Sequence, residues 1–315
     1  MTTCARPCYR FAVGLLDSPH TLKVGERDHH LIPEAHPRKV QSSQPLTLLP
    51  AEPWSNEHRL LLCAGVQTCG RYLLEEFARR SSVRGRVLVG VSGSAGAGKS
   101  TLAQLLCAAC NTLSGRSHFS QTVSMDAYSF PNAHLSAQPA EDHLGRACTL
   151  KDIKGQPKTL DCASLLRDLE RLRLPNAQTL LLPAYSRQLH DPIPDCVAVA
   201  PDCGLVIVEG LHLLHQEGLW KDVFAALHRT VFLDIERLCC FERVVGRKVA
   251  NGRSRESSET HFDRVDGPIW DQLQEGKSLA NLVLAVRPTR DRHLSVSGIV
   301  VRKPCDKPRS SIAVP

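Results

Sequence analysis

Eight consecutive residues carry the most specific chemistry in the chain. Gly93-Ser94-Ala95-Gly96-Ala97-Gly98-Lys99-Ser100 satisfies the spacing G-x-x-x-x-G-K-[ST]. Glycines at 93, 96 and 98 let backbone N–H groups turn inward around a phosphate, because a residue without Cβ enters conformations closed to the others. A helix beginning at Lys99 would add the positive end of its dipole. The expected nucleotide contacts are therefore Gly93, Ser94, Ala95, Gly96, Ala97, Gly98, Lys99, Ser100 and the following Thr101. Lys99 would reach the β- and γ-phosphates, and the Ser100 hydroxyl would ligate Mg²⁺, so the implied ligands are ATP and Mg²⁺.

Chemistry on a bound triphosphate needs carboxylates. Transfer to an alcohol requires one acid to orient the hydroxyl and take its proton, and another to hold Mg²⁺ directly or through water. Three short apolar runs end in an acid: Thr122 to Met125 before Asp126, Leu205 to Val208 before Glu209, and Thr230 to Leu233 before Asp234. Ligands of parallel sheets sit outside the carboxyl ends of the strands, which is where such acids would stand. Asp126 is assigned as the catalytic base and Glu209 as the metal-side acid. Taken alone, each reads equally as an acid capping a turn. Asp234 precedes a helical pattern and is expected to be its N-cap.

A basic cluster follows. Arg243, Arg247, Lys248, Arg253 and Arg255 begin on a helical pattern and run into Asn251-Gly252-Arg253-Ser254. Arg243 and Arg247 are four apart and share a helix face. Without the phosphate loop this would read as a solvated surface. With it, the cluster reads as a lid that brings guanidinium groups to the charge developing on the transferred phosphoryl oxygens, with Arg247 preferred over Arg243 as the catalytic one.

These groups need a scaffold, and the hydrophobic pattern describes one. Leu62, Val66, Cys69, Leu73 and Phe77 fall at helical spacing, Val87 to Val91 reads as a buried strand, and Leu102, Leu105, Leu106, Ala109 and Leu113 mark a helix. Asp161 is expected to cap a helix carrying Leu165, Leu166, Leu169 and Leu172, before an extended stretch at Thr179 to Leu182. Helical spacing returns at Leu238, Phe241, Val245 and Val249 and at Phe262, Val265 and Ile269, and Leu282 to Val286 supplies a last strand. Alternation of this kind predicts an α/β fold with a mostly parallel sheet and helices on both faces; together with the glycine-loop motif and the basic cluster, the expected fold is a three-layer P-loop NTPase with an arginine-bearing lid.

Composition narrows the function classes. With 315 residues, 42% of them apolar and 23% charged, the chain can bury a sizeable core. The net charge of +7 comes from 39 basic residues interleaved with 32 acidic ones, without the block expected of a nucleic-acid arm. Aromatics amount to 5%, too few for a single-strand stacking platform, so nucleic acid is not the expected partner. No apolar run approaches the roughly 18 residues of a membrane helix. Thirteen scattered cysteines suit reduced thiols and a cytoplasmic setting. Cys107 and Cys110 have C-x-x-C spacing but lie in an apolar helical pattern, which favours core packing over metal or redox chemistry. Residues 1–55, rich in proline, are expected to form a poorly ordered extension. Asp17, Glu26, Asp28 and Glu34 argue against an organellar transit peptide there. The expected domain spans 56–301, with a flexible tail at 302–315.

The assembled motifs resemble the phosphoribulokinase, uridine kinase and pantothenate kinase superfamily of P-loop kinases. Within it the chain most resembles the bacterial fructose-transport-system kinase and fungal P-loop ATPase-like group, over Arg86 to Leu273. Met125-Asp126-Ala127-Tyr128 stands where that group has Met-Asp-Gly-Phe-His, whose Asp is taken as the base. Lys154-Gly155-Gln156-Pro157-Lys158-Thr159-Leu160-Asp161 is similar to its acceptor-side Lys-Gly-x-Pro-x-Thr-Phe-Asp. Pro183-Ala184-Tyr185-Ser186-Arg187 with Asp191-Pro192, Val206 to Gly210, and Glu242 to Gly252 resemble its Pro-x-Tyr/Phe-x-Arg, Walker B and lid-helix elements. Asp266-x-Pro268 is similar to its Asn-Asp-x-Pro. The resemblance implies that Lys154, Tyr185 and Arg187 line the acceptor pocket. Ala127, Ser129 and Val265 depart from its glycine, histidine and asparagine, all on the acceptor side or near the lid.

The expected activity is ATP-dependent transfer of the γ-phosphoryl group to a hydroxyl of a small molecule such as a sugar, nucleoside or pantothenate-like acid. A P-loop ATPase or regulatory nucleotide-binding protein without such an acceptor is the alternative. Nothing in the sequence specifies an oligomeric state.

Overall fold

A computed structural model of the chain describes residues 64–80, 85–175, 178–288 and 294–301. The expected extension at 1–55, the tail at 302–315 and Leu62 lie outside the described residues.

Among the described residues, ten strands and eight α-helices follow in the order α1 (Ala64–Arg80), β1 (Val87–Gly93), α2 (Lys99–Ser114), β2 (Ser120–Ser124), α3 (Asn132–Ala137), β3 (Pro139–Glu141), β4 (Ala147–Thr149), α4 (Cys162–Arg173), β5 (Leu180–Ser186), β6 (Asp191–Val199), β7 (Leu205–Glu209), α5 (Trp220–Ala226), β8 (Arg229–Ile235), α6 (Arg237–Ala250), α7 (Arg255–His261), α8 (Gly267–Gly276), β9 (Leu282–Pro288) and β10 (Leu294–Val301). A single π-helical turn, Phe262–Asp266, joins α7 to α8.

Six strands form the central sheet in the order β10-β9-β8-β1-β7-β2. All neighbours run parallel except the β10–β9 pair at the edge. Strands β1, β7, β8 and β9 are covered on both faces. Val87, Val89 and Val91 of β1, Leu205 and Ile207 of β7, and Val231 and Leu233 of β8 pack with α1, α2 and α6. The alternate residues turn the other way: Leu88, Val206 and Val208 pack with α4 and α5, and Phe232 and Val283 with α8. Period-two burial on both faces is what makes these runs continuously apolar, and it gives the three layers that the sequence predicts.

Local chemistry sets the helix ends. Asp161 accepts a hydrogen bond from the Ser164 N–H and caps α4, as expected. Gly115, at φ 70°, closes α2 with its N–H on the Thr112 carbonyl, while the Arg116 N–H donates to the Asn111 carbonyl. Cys110 is fully buried between α1 and α2, and Cys107 donates to the Ser120 carbonyl at 3.2 Å, so both serve packing. Among the described residues, no helix is long and apolar enough to cross a membrane.

Four expectations need correction. The strand before Asp126 ends at Ser124, and Asp126 stands in a 3₁₀ turn, Met125–Tyr128. Asp234 does not cap α6: it lies within β8 and forms an ion pair with Lys277, while Glu236 occupies the cap position without a side-chain bond. Leu238 and Val249 are exposed, because Cys240, Val244 and Val245 form the buried face of α6. β6 and β10 were not foreseen. In β6, Pro192, Pro194, Asp191 and Asp195 weaken the strand pattern, which only pairing with β5 overrides.

Leu106 is fully buried in the α2 face of the core. Leu106→Ala is expected to lower the unfolding free energy by about 2 to 5 kcal/mol, read from urea unfolding curves.

Candidate active site

β1 lies between β7 and β8, so the loop after it opens at the carboxyl edge of the sheet with an acid-bearing strand on its β7 side. Register sets the distances. Val91 pairs with Glu209, and Glu209 pairs with Ser124, which brings the ends of β1, β7 and β2 into one row. Gly93 leaves β1 at φ 144°, where an added Cβ would stand 2.7 Å from the Leu233 carbonyl oxygen. Gly98 starts α2 at φ 93°. The loop between them is thus an open backbone cradle over a helix N-terminus, the arrangement that receives phosphate.

Lys99 lies across this cradle and donates to the Ser94 carbonyl at 3.0 Å. Burial lowers its pKa, while Glu209 and Asp126 push it back up. Glu209 is buried, accepts from the Ser124 hydroxyl at 2.6 Å, and has its pKa raised by burial first and by Asp126 second. Lys99 and the Ser100 hydroxyl act in the opposite direction on it. Lys99, Glu209 and Asp126, with the hydroxyls of Ser100 and Ser124, form one electrostatic unit.

The turn holding Asp126 is fastened to that unit by packing. Gly210, next to Glu209, has no room for a side chain: a Cβ there would collide with Met125 and approach its Sδ to 2.7 Å. Gly210 N–H also donates to the Val91 carbonyl, 3.0 Å away. The Glu-Gly pair is thereby explained by the close approach of β7's end to the Met125-Asp126 turn.

The segment 154–161 is laced to the same turn. Asp161 N–H donates to the Tyr128 carbonyl at 2.7 Å and Phe130 N–H to the Thr159 carbonyl at 3.1 Å. His212 braces it from below, with Nε2 2.7 Å from the Gly155 carbonyl, so that Nε2–H donates. Its Nδ1 is buried without a partner among the described residues, and burial pushes the imidazole down to about 4. Ala127 and Ser129 are buried beside Asp126, and Val265 is buried among Ile153, Phe232 and Ile269.

Two clefts open here. One, of about 180 Å³, is lined by the glycine loop, Lys99, Thr101, Arg243 and Arg247. Arg243 is tied down, its Nε donating to the Gly96 carbonyl at 2.7 Å. Lys248 is paired with Asp266 at 2.7 Å and Arg255 with Glu259 at 2.7 Å, so neither joins the cleft wall. The second cleft, of about 230 Å³, is lined by Asp126, Glu209, Ser124 and Tyr185 among others. Ser100 and Arg187 line both, and Arg187 Nη2 stands 3.4 Å from Ser100 Oγ.

Of the three residues implied for the acceptor pocket, Tyr185 and Arg187 line the second cleft and Lys154 stands behind it. Lys154 Nζ donates to Asn132 Oδ1 (2.9 Å) and the His190 carbonyl (2.7 Å), and lies 5.3 Å from the Tyr185 ring centroid. Burial, then Asp126 and Asp191, push the Tyr185 phenol up to about 12, so it remains a donor. Sequence reasoning missed Ser124, His212, Gln104 and Thr122. Ser124 and His212 flank acids already singled out, two residues before Asp126 and three after Glu209, and that adjacency was the available signal.

The model of the family described as Phosphoribulokinase / Uridine kinase matches residues 88–292, the span that contains both clefts. The chain belongs to this family. A uridine kinase of Klebsiella pneumoniae is 26% identical over 200 residues, 63% of this chain and 86% of that protein. The uncharacterized protein YggC of Escherichia coli K12 is 32% identical over 164 residues, 52% of this chain, and the match spans only 63% of YggC's own length. A crystal structure of a candidate fructose transport system kinase from Silicibacter sp. TM1040 superposes with a TM-score of 0.58 at 25% identity, covering 67% of this chain and 94% of that one. The fold is that of a P-loop kinase.

Two outcomes follow from this geometry. Gly210→Ala is expected to cost about 1 to 3 kcal/mol of stability, because Met125 must move, and calorimetric unfolding measures it. His212, with a pKa near 4 when folded against 6.5 when free, binds a proton more readily in the unfolded chain between those values. Its contribution to stability is complete above pH 6.5 and lost as the pH falls through 4. His212→Gln should therefore flatten the fall in Tm between pH 6.5 and 4. The slope will not vanish, since burial also pushes His261 to about 4.

Proposed function

We propose that the chain is an ATP- and Mg²⁺-dependent kinase that transfers the γ-phosphoryl group to a hydroxyl of a small molecule: a sugar, a nucleoside or a pantothenate-like acid. One observation carries the reading. A phosphate cradle and a carboxylate-lined cleft abut, and the same two side chains, Ser100 and Arg187, line both. A donor in one and an acceptor in the other would meet at those residues.

Each residue then has a defined task. The backbone N–H groups from Gly93 to Ser100 and the N-terminus of α2 hold the phosphates, and Lys99 neutralises the β- and γ-oxygens. The metal fits the donor set, because hard oxygens of Ser100 and Glu209 lie together and the raised pKa of buried Glu209 marks a carboxylate short of positive charge. Bound there, Mg²⁺ would offset phosphate charge during transfer. Asp126 orients the acceptor hydroxyl and takes its proton as the acceptor oxygen bonds to the γ-phosphorus and the bridging oxygen leaves with ADP. Arg247 and Arg187 stabilise the equatorial oxygens, and the α6–α7 lid excludes water. Lys154, seated on the Tyr185 ring, holds the acceptor-side wall in place.

The departures at Ala127 and Ser129 are what favours an acceptor-free ATPase. Both residues are buried, and neither is among those lining the cleft.

Initial rates of product formation against sugars, nucleosides and pantothenate test the proposal. Asp126→Asn should lower kcat by about 10² to 10⁴ while retaining nucleotide binding, and Lys99→Ala should abolish the thermal shift caused by Mg-ATP. Unchanged ATP turnover with every acceptor, and no phosphorylated product, would sink the kinase reading.

A further inference from the structure

The charge balance of the second cleft narrows the acceptor, on the premise that the kinase reading above holds. Asp126 and Glu209 contribute two carboxylates to its wall; Glu209 faces Lys99 and would hold Mg²⁺, so Asp126 is the carboxylate left to meet the acceptor, and Arg187 is the one cationic side chain among the residues lining the cleft. Arg187 also lines the phosphate cleft and reaches Ser100, so transferred phosphoryl oxygens claim it. Lys154 is committed to Asn132 and the His190 carbonyl, with Asp191 Oδ1 3.9 Å away. Arg243 and Arg247 face the phosphate cleft alone. A carboxylate or phosphate on the acceptor would enter beside Asp126 without a cation of its own, in a partly desolvated space where like charges repel strongly.

The remaining wall is uncharged. Val123, Pro183 and Val197 are apolar, while Gln104 on α2 and Thr122 on β2 are polar side chains that make no hydrogen bond among the described residues. An amide and a hydroxyl each donate and accept, as the hydroxyls of a polyol do. Stacking a nucleobase requires an open aromatic face. Tyr185 is the one aromatic lining residue, and the Lys154 ammonium takes up one of its two faces, so a nucleobase would have a single tyrosine face at most and no second ring to close on it. The volume, about 230 Å³, is also below the roughly 300 to 1,000 Å³ of pockets for drug-sized ligands.

We propose that the acceptor is a compact, uncharged sugar or polyol, and that Gln104 and Thr122 select it by hydrogen bonding to hydroxyls other than the one phosphorylated. The transfer is balanced: the acceptor oxygen forms a bond to the γ-phosphorus of ATP, the bond from that phosphorus to the β,γ-bridging oxygen breaks, ADP departs, and the hydroxyl proton passes to Asp126. Gln104 is exposed and outside the core, so its replacement tests recognition rather than folding.

Initial rates of the full chain with Mg-ATP would be compared for neutral hexoses and sugar alcohols, the matching aldonic acids and sugar phosphates, pantothenate and uridine. The best neutral polyol should exceed its acid counterpart in kcat/KM by at least about tenfold. Gln104→Leu and Thr122→Val should each raise KM for it about fivefold or more with kcat within about twofold. Gln104→Arg should shift preference towards the acid, a gain that damage to the fold would not produce. Preference of the unaltered protein for a charged acceptor or a nucleoside, or an unchanged KM in both Gln104→Leu and Thr122→Val, would overturn the inference and leave the kinase reading standing. No phosphorylated product from any acceptor, with the Mg-ATP thermal shift intact, would overturn both.

Discussion

A half-buried lysine and a buried carboxylate each offset part of the other's desolvation. Lys99 loses water to the glycine loop and Glu209 loses it to the β7 edge, and burial pushes the two pKa values in opposite directions. Their mutual attraction opposes both shifts. Asp126 adds a second negative charge, which raises Glu209 further and draws Lys99 back towards its charged form. The cluster therefore holds more negative charge than its neutral surroundings favour, a condition suited to a bound cation and wasteful for a purely structural ion pair.

Backbone packing maintains that cluster. Gly93 turns where the Leu233 carbonyl leaves no space for a Cβ, and Gly210 sits where Met125 leaves none. Strand register does the rest, since Val91, Glu209 and Ser124 are paired across three neighbouring strands. A side chain at either glycine would separate the loop from β8 or the Asp126 turn from Glu209. The distances among the charged groups thus follow from contacts that involve no charge.

The second cleft is assembled differently. To residues of β2, β7 and α2 it adds a 3₁₀ turn and the β5–β6 hairpin, braced by the segment 154–161, and these added parts lie outside the central sheet. Hydrogen bonds from Asp161 to Tyr128, from Phe130 to Thr159 and between His212 and Gly155 stitch them to it. Small parts held by polar contacts can vary in position while the phosphate cradle stays fixed, which is how one fold can accommodate acceptors of different shape.

Local spacing in the sequence determined the glycine loop, the alternation of buried strands with helices and the Asp161 cap, and it marked Asp126 and Glu209 as acids close to Lys99, because each depends on neighbours a few residues apart. Tertiary structure alone decided the rest. Asp234 was drawn into an ion pair with Lys277, forty-three residues away, and the outer face of α6 was set by the layer beneath it. Lys154 was turned from the pocket onto Asn132 and His190, and Gln104 and Thr122, unremarkable in the sequence, were brought to the wall facing Tyr185's cleft. Such assignments depend on which distant side chain arrives first within hydrogen-bonding reach, and no periodicity along the chain encodes that.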